Sequence, residues 1–167
     1  MLKLDGTLVL LGAGKMGGAM LEGWLKGGAE ASRIVALDPA PPADTKALLD
    51  HWGVRLNPDV STIRDAEVVV IAVKPQQMRE AIASIRPLAP NALIVSIAAG
   101  VRASTLARWL GHERIVRAMP NTPALIRAGI TGAVALPAVG PELRAAATQL
   151  LQAIGTVVWL EDEAQLD

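Results

Sequence analysis

Three glycines at fixed spacing, in Gly12-Ala13-Gly14-Lys15-Met16-Gly17, stand between an apolar run and a helical pattern near the start of the chain. Gly12 permits a tight turn, Gly14 lets a pyrophosphate approach the backbone, and Gly17 lets the helix pack close to a sheet. The first amides of the helix have no partner within it, and they sit at the positive end of the helix dipole. An isolated GxGxxG can be a ligand-free turn. With a strand before it and a helix after it, the motif points to a bound dinucleotide. Asp38 closes the second apolar strand, where a carboxylate either accepts from adenosine ribose hydroxyls, favouring NAD over NADP, or caps an Asp-Pro turn. Lys74 ends the strongest apolar strand, in Ala72-Val73-Lys74-Pro75. Ligands of open α/β sheets lie beyond the carboxyl ends of strands, so this lysine meets either ligand or solvent there.

Ser96-Ile97-Ala98-Ala99-Gly100 closes the next strand with small residues, suited either to a flat ring or to plain packing. In Arg117-Ala118-Met119-Pro120-Asn121-Thr122-Pro123, Asn121 and Thr122 are neutral hydrogen-bonding groups fixed between prolines. They suit a nicotinamide amide or a substrate. An Asx turn also explains Asn121. The chain has no tyrosine, which excludes a Tyr/Lys acid pair. His51 and His112 carry no motif and read as ordinary surface residues.

These groups require strands and helices in alternation, the sequence form of repeated βαβ units. The first strand runs from Thr7 to Leu11, and the helix after it carries Met16, Ala19, Met20, Gly23 and Trp24 at the spacing of one buried face. Gly27-Gly28 ends that helix. A strand at Ile34 to Leu37 leads into a proline loop, Pro39 to Pro42, because proline lacks the amide hydrogen that an element interior needs. Then follow a helix from Asp44 to about Trp52, a short strand Val54 to Leu56, and a turn at Asn57-Pro58. Strand Val68 to Val73, helix Gln76 to Ile85, strand Leu93 to Ile97, helix Ser104 to Leu110 and strand Ile115 to Met119 come next. Pro120 to Gly132 reads as a long functional loop. Strand Ala133 to Leu136, a helix opened by Pro141 and strand Thr156 to Leu160 complete the pattern. The expectation is an α/β fold with a doubly wound, mostly parallel sheet in three αβα layers. Residues 1–160 would form one Rossmann-type domain, with the acidic tail 161–167 as a linker or the start of a further domain.

Composition narrows the class. Sixteen basic residues balance sixteen acidic ones, which argues against a nucleic-acid or membrane surface. No apolar run approaches the ~20 residues of a membrane span. The N-terminal residues lack a charged segment followed by an apolar core, so no secretory signal is expected. Cysteine is absent, which removes disulfides, thiolate metal sites and cysteine nucleophiles. A cytoplasmic protein that holds no metal is the expectation.

The segments GAGKMG, AVKP, SIAAGV, RAMPNTP and GITG, in that order, make the chain similar to pyrroline-5-carboxylate reductases over essentially its whole length. That resemblance implies NADP or NAD as cofactor and 1-pyrroline-5-carboxylate as substrate. It implies that Leu11, Gly12, Ala13, Gly14, Lys15 and Met16 cradle the pyrophosphate, and that Ala72, Val73, Lys74 and Pro75 line the cofactor. Ile97, Ala98 and Ala99, with Asn121 and Thr122, would flank the nicotinamide end. The family commonly has a small hydroxyl residue where Asp38 stands, a departure that bears on its usual NADP preference. Its asparagine at the adenosine end falls in the segment Asn57 to Ser61, at no position the motif fixes. Family members continue into a helical domain that dimerises and completes the substrate site. That domain is expected to supply the proton donor, leaving this chain monomeric and inactive alone. The rival readings are another β-hydroxyacid-dehydrogenase-like oxidoreductase and a non-catalytic dinucleotide-binding module.

Overall fold

Leu8 and Leu10 alternate with Val9 and Leu11, so a strand of these residues presents apolar side chains on both faces and must be covered twice. The computed structural model describes residues 2–166. Met1 and Asp167, which end the expected domain and tail, lie outside the described residues. In it β1 (Thr7–Leu11) sits inside an eight-stranded sheet with Leu8 and Leu10 in one core and Val9 and Leu11 in the other. The other strands are β2 (Ile34–Leu37), β3 (Arg55–Leu56), β4 (Ala66–Ile71), β5 (Leu93–Ser96), β6 (Ile115–Pro120), β7 (Gly129–Ala135) and β8 (Gly155–Trp159). Their order is β3-β2-β1-β4-β5-β6-β7-β8. Every pairing is parallel except β6 with β7. The chain winds outward from β1 in both directions, which makes the ends of β1 and β4 the switch point of a doubly wound fold.

The helices are α1 (Lys15–Lys26), α2 (Ala43–Trp52), α3 (Met78–Ile85), α4 (Ala103–Leu110) and α5 (Pro141–Gln152). Buried side chains of α1, α2 and α5 join the core holding Leu8 and Leu10, and those of α3 and α4 join the other. The three layers follow. The buried face of α1 is Gly17, Met20, Leu21, Trp24 and Leu25, rotated from the expected face, and Met16 and Ala19 are only half-buried. Trp24 is common to both faces, and its Nε1 donates to the Leu150 carbonyl at 2.9 Å, tying α1 to α5.

Three expectations are corrected. The strand expected to reach Val73 stops at Ile71, because the Ala72 amide makes a last bond to the Leu11 carbonyl and the chain then turns away beside Gly12. The helix expected from Gln76 begins as a short 3-10 turn at Pro75–Gln77, as a proline-led start requires. The long loop 120–132 holds a 3-10 turn, Thr122–Ile126, and most of β7. Its Gly129 serves close approach: a Cβ on it would lie 2.7 Å from Ala124, and a Cβ on Gly155 of β8 would collide with the Gly129 backbone where the two strands pair. The tail packs against β6 and β7. Glu163–Leu166 is a 3-10 turn, Leu166 is buried, and Glu163 Oε1 accepts from Arg117 Nη1 at 3.1 Å and from the Ala103 amide at 2.7 Å. No helix of the described residues is long and apolar enough to cross a membrane.

His112 is structural rather than an ordinary surface residue. Its Nδ1 accepts from the Arg114 amide at 3.2 Å, which leaves Nε2 as the N–H that donates to the Ala89 carbonyl at 2.7 Å. Burial lowers its pKa from 6.5 against the raising effect of the Ala89 carbonyl, and Arg114 lowers it further. The folded state therefore disfavours the imidazolium. Stability from this group is full above about pH 6.5, its unfolded value, and falls as pH drops through the lower folded value. We expect denaturant midpoints between pH 7 and pH 5 to fall less steeply for His112→Asn than for the wild type. Equal slopes would remove His112 from the acid response.

Candidate functional site

The turn between β1 and α1 exists because glycine can follow a path that other residues resist. Gly12 has φ +93°, and a Cβ on it would lie 2.8 Å from the backbone of Ala72 and Val73. The two strand ends are thereby drawn together at the switch point. Gly17 is equally constrained, since its Cβ would collide with the Gly12 carbonyl oxygen. Gly14 differs: it caps α1 in extended conformation, and a Cβ on it would meet nothing within 4 Å. No side chain caps this helix start. The amides of Lys15, Met16 and Gly17 belong to the first turn, which has no intrahelical acceptors.

Beyond these strand ends lies a crevice of about 880 Å³. Of the residues expected at the site, it brings together Leu11, Gly12, Gly14, Asp38, Ala72, Val73 and Lys74. Ala13 is buried, and its amide donates to Asp38 Oδ2 at 2.7 Å. Lys15 borders a separate hollow between α1 and α2, and Met16 packs against the core. Pro75 opens the 3-10 turn beneath Lys74. The remaining candidates stand at the ends of β5 and β6, next in the sheet after β4 and outside the crevice lining. Ile97 is half-buried, its amide bonded to the Ile71 carbonyl, and Ala98 is in the core. Ala99, Asn121 and Thr122 are exposed. Asn121 Oδ1 accepts from the Ile130 amide at 2.9 Å, so its side chain fixes the start of β7.

Asp38 answers the question its position raised by forming a turn and more. Oδ1 accepts from the Ala40 amide at 2.9 Å while Oδ2 takes the Ala13 amide, so one carboxylate joins the proline loop to the glycine loop. Sequence reasoning left Asn57 unplaced. At φ +51° it turns its amide onto the Asp38 backbone, accepting from the Asp38 amide at 2.8 Å and donating to its carbonyl at 2.7 Å. Gln77, Glu80 and Ser84 also line the crevice and were missed. Their signal was available, since they share the polar side of the helical stretch that follows AVKP.

A doubly wound sheet with a glycine turn and an uncapped helix start at its switch point defines a class: the dinucleotide-binding Rossmann domain. A family model described as "NADP oxidoreductase coenzyme F420-dependent" matches residues 7–100, more than half of the chain, and the chain belongs to that family. It is 40% identical over 162 residues to the pyrroline-5-carboxylate reductase of Pseudomonas aeruginosa, covering 96% of this chain and 59% of the relative. To the Escherichia coli enzyme of that name it is 36% identical over 155 residues, covering 91% of this chain and 58% of the relative. The structure of a pyrroline-5-carboxylate reductase from Coxiella burnetii superposes with a TM-score of 0.88 at 30% identity, over 98% of this chain and 62% of that one. The Plasmodium falciparum pyrroline carboxylate reductase, solved with NADP bound, gives 0.80 at 21% identity, over 96% and 60%, a likeness of fold. The resemblance read from the motifs is borne out. The chain spans less than two thirds of the length of these relatives.

Proposed function

We propose that this chain is the cofactor-binding part of a reductase that uses NADH or NADPH to convert 1-pyrroline-5-carboxylate to L-proline. The observation that carries the reading is the fit of the glycine turn to a pyrophosphate. Gly12 and Gly17 are sterically obligatory, whereas Gly14 faces open space beside an uncapped helix start. The amides of Lys15, Met16 and Gly17 hold the phosphates, and Ala72, Val73, Lys74 and Pro75 form the opposite wall. Ile97, Ala99, Asn121 and Thr122 flank the nicotinamide end at the next strands, with Ala98 packing beneath. When bound, nicotinamide supplies the hydride for the C=N carbon; the residues here bind and orient it.

An imine accepts hydride better when protonated, so the site also needs an acid and an anchor for the substrate carboxylate. The titratable groups that line the crevice are Asp38, Lys74 and Glu80. Asp38 is engaged by two amides, and none of the three stands at the ends of β5 and β6, where the ring would lie. We infer that the acid comes from the part of the longer relatives that has no counterpart here. We expect the isolated chain to be monomeric by light scattering, to bind NADH, and to turn over pyrroline-5-carboxylate negligibly. Grafted in place of the matching part of the Pseudomonas aeruginosa enzyme, it should restore NADH-dependent formation of L-proline. A graft that folds and binds NADH but reduces only β-keto acids would favour a β-hydroxyacid dehydrogenase. One that binds and turns over nothing would favour a non-catalytic module.

A further inference from the structure

We propose that the adenosine end of the crevice selects a ribose without a 2′-phosphate, so that this chain takes NADH in preference to NADPH. The inference rests on the dinucleotide reading and departs from the NADP of the family's description. Asp38 cannot swing aside to admit a second anion. Its two carboxylate oxygens are held by the amides of Ala13 and Ala40, and its backbone is clamped on both sides by the Asn57 amide group. Each oxygen keeps a second acceptor site, which is what a pair of ribose hydroxyls requires.

The cations a 2′-phosphate would need are placed elsewhere. Around Asp38 the lining consists of Leu37, Pro39, Ala40, Pro42 and Asn57, with no basic residue. Lys74, the one lysine of the lining, lies in the turn after β4, on the other side of β1. Arg33 precedes β2, at the N-terminal end of the strands opposite the crevice, where it bonds Glu30 and the Asp5 carbonyl. Lys46 is exposed on α2 and is not part of the lining. The positive end of α2 is already answered by Asp44 in its first turn. A 2′-phosphate here meets a fixed carboxylate with no compensating charge. At a partly exposed site that repulsion corresponds to a preference of roughly tenfold or more.

Calorimetric dissociation constants for NADH and NADPH on three proteins provide the test. Wild type should bind NADH at least tenfold more tightly. Asp38→Asn, which keeps the shape and one acceptor, should bring the two constants together. Ala40→Arg keeps Asp38 and the Ala40 amide but adds a cation on an exposed side chain, and should selectively tighten NADPH. Wild type binding NADPH as well as NADH, or an Asp38→Asn ratio equal to that of wild type, would overturn the selectivity and leave the dinucleotide site standing. Binding of neither cofactor by wild type would overturn both.

Discussion

Gly14→Val is expected to weaken dinucleotide binding at least a hundredfold while leaving the thermal midpoint close to that of the wild type. The separation of the two effects comes from the packing. Gly14 has φ −73° in the extended region, which any residue adopts, and a Cβ there meets no protein atom within 4 Å. A branched side chain therefore enters only the space next to the first amides of α1. A phosphate held there as proposed would lose hydrogen bonds of the charged kind, worth roughly 1.5–3 kcal/mol each. A hundredfold loss is about 3 kcal/mol, within reach of one or two of them. Gly17→Ala behaves differently. Its methyl must push the Gly12 carbonyl away, overpacking that costs roughly 1–3 kcal/mol, and the turn proposed to bind phosphate moves with it. Affinity and stability should fall together in Gly17→Ala, and affinity alone in Gly14→Val. Calorimetry with NADH beside a thermal melt reads both. Unchanged affinity in Gly14→Val would remove the glycine turn from the site.

The second large effect is expected at the C-terminal tail. Arg117 is 1% exposed in β6, and Glu163 meets it from outside the sheet while also capping the first turn of α4 through the Ala103 amide. Glu163→Ala deletes both bonds and leaves a buried guanidinium without this carboxylate. Hydrogen bonds to charged groups contribute roughly 1.5–3 kcal/mol, so a loss of about 3 kcal/mol is expected. For a domain of this size that lowers the melting midpoint by roughly 6–12 °C. Glu163→Gln keeps an acceptor but not the charge and should fall between. NADH affinity should be little altered, since Glu163 is not part of the crevice lining. A midpoint unchanged in Glu163→Ala would mean that residues 163–166 contribute nothing to the fold.

What the sequence made legible is the part specified locally. The β1–turn–α1 unit could be read because strand, glycine spacing and helix periodicity lie within some twenty residues and agree with one another. The apolar run at Val68 to Ile71 could be read because a strand covered on both faces has no polar positions. β7 was hidden by its own glycines. Gly129 and Gly132 look like loop residues, yet each faces a neighbour that a side chain would crowd, Ala124 for one and Leu160 and Leu166 for the other. The docking of the tail and the bonds of Asp38 depend on partners far along the chain, and no local pattern encodes which amide a carboxylate will face. Asn57 illustrates the limit: its role is set by a left-handed backbone and by Asp38 just past β2, nineteen residues earlier.

The central claim is that one crevice at the β1–β4 switch point holds a dinucleotide, and titrating the ¹⁵N-labelled chain with NADH tests it most directly. Amide resonances of residues 12–17, 38, 40 and 72–74 should move together with a single dissociation constant, and the amides of Lys15, Met16 and Gly17 should move among the most. Shifts confined to the hollow between α1 and α2, or to the exposed Ile126 and Ile130, or no saturable shifts at all, would contradict the account.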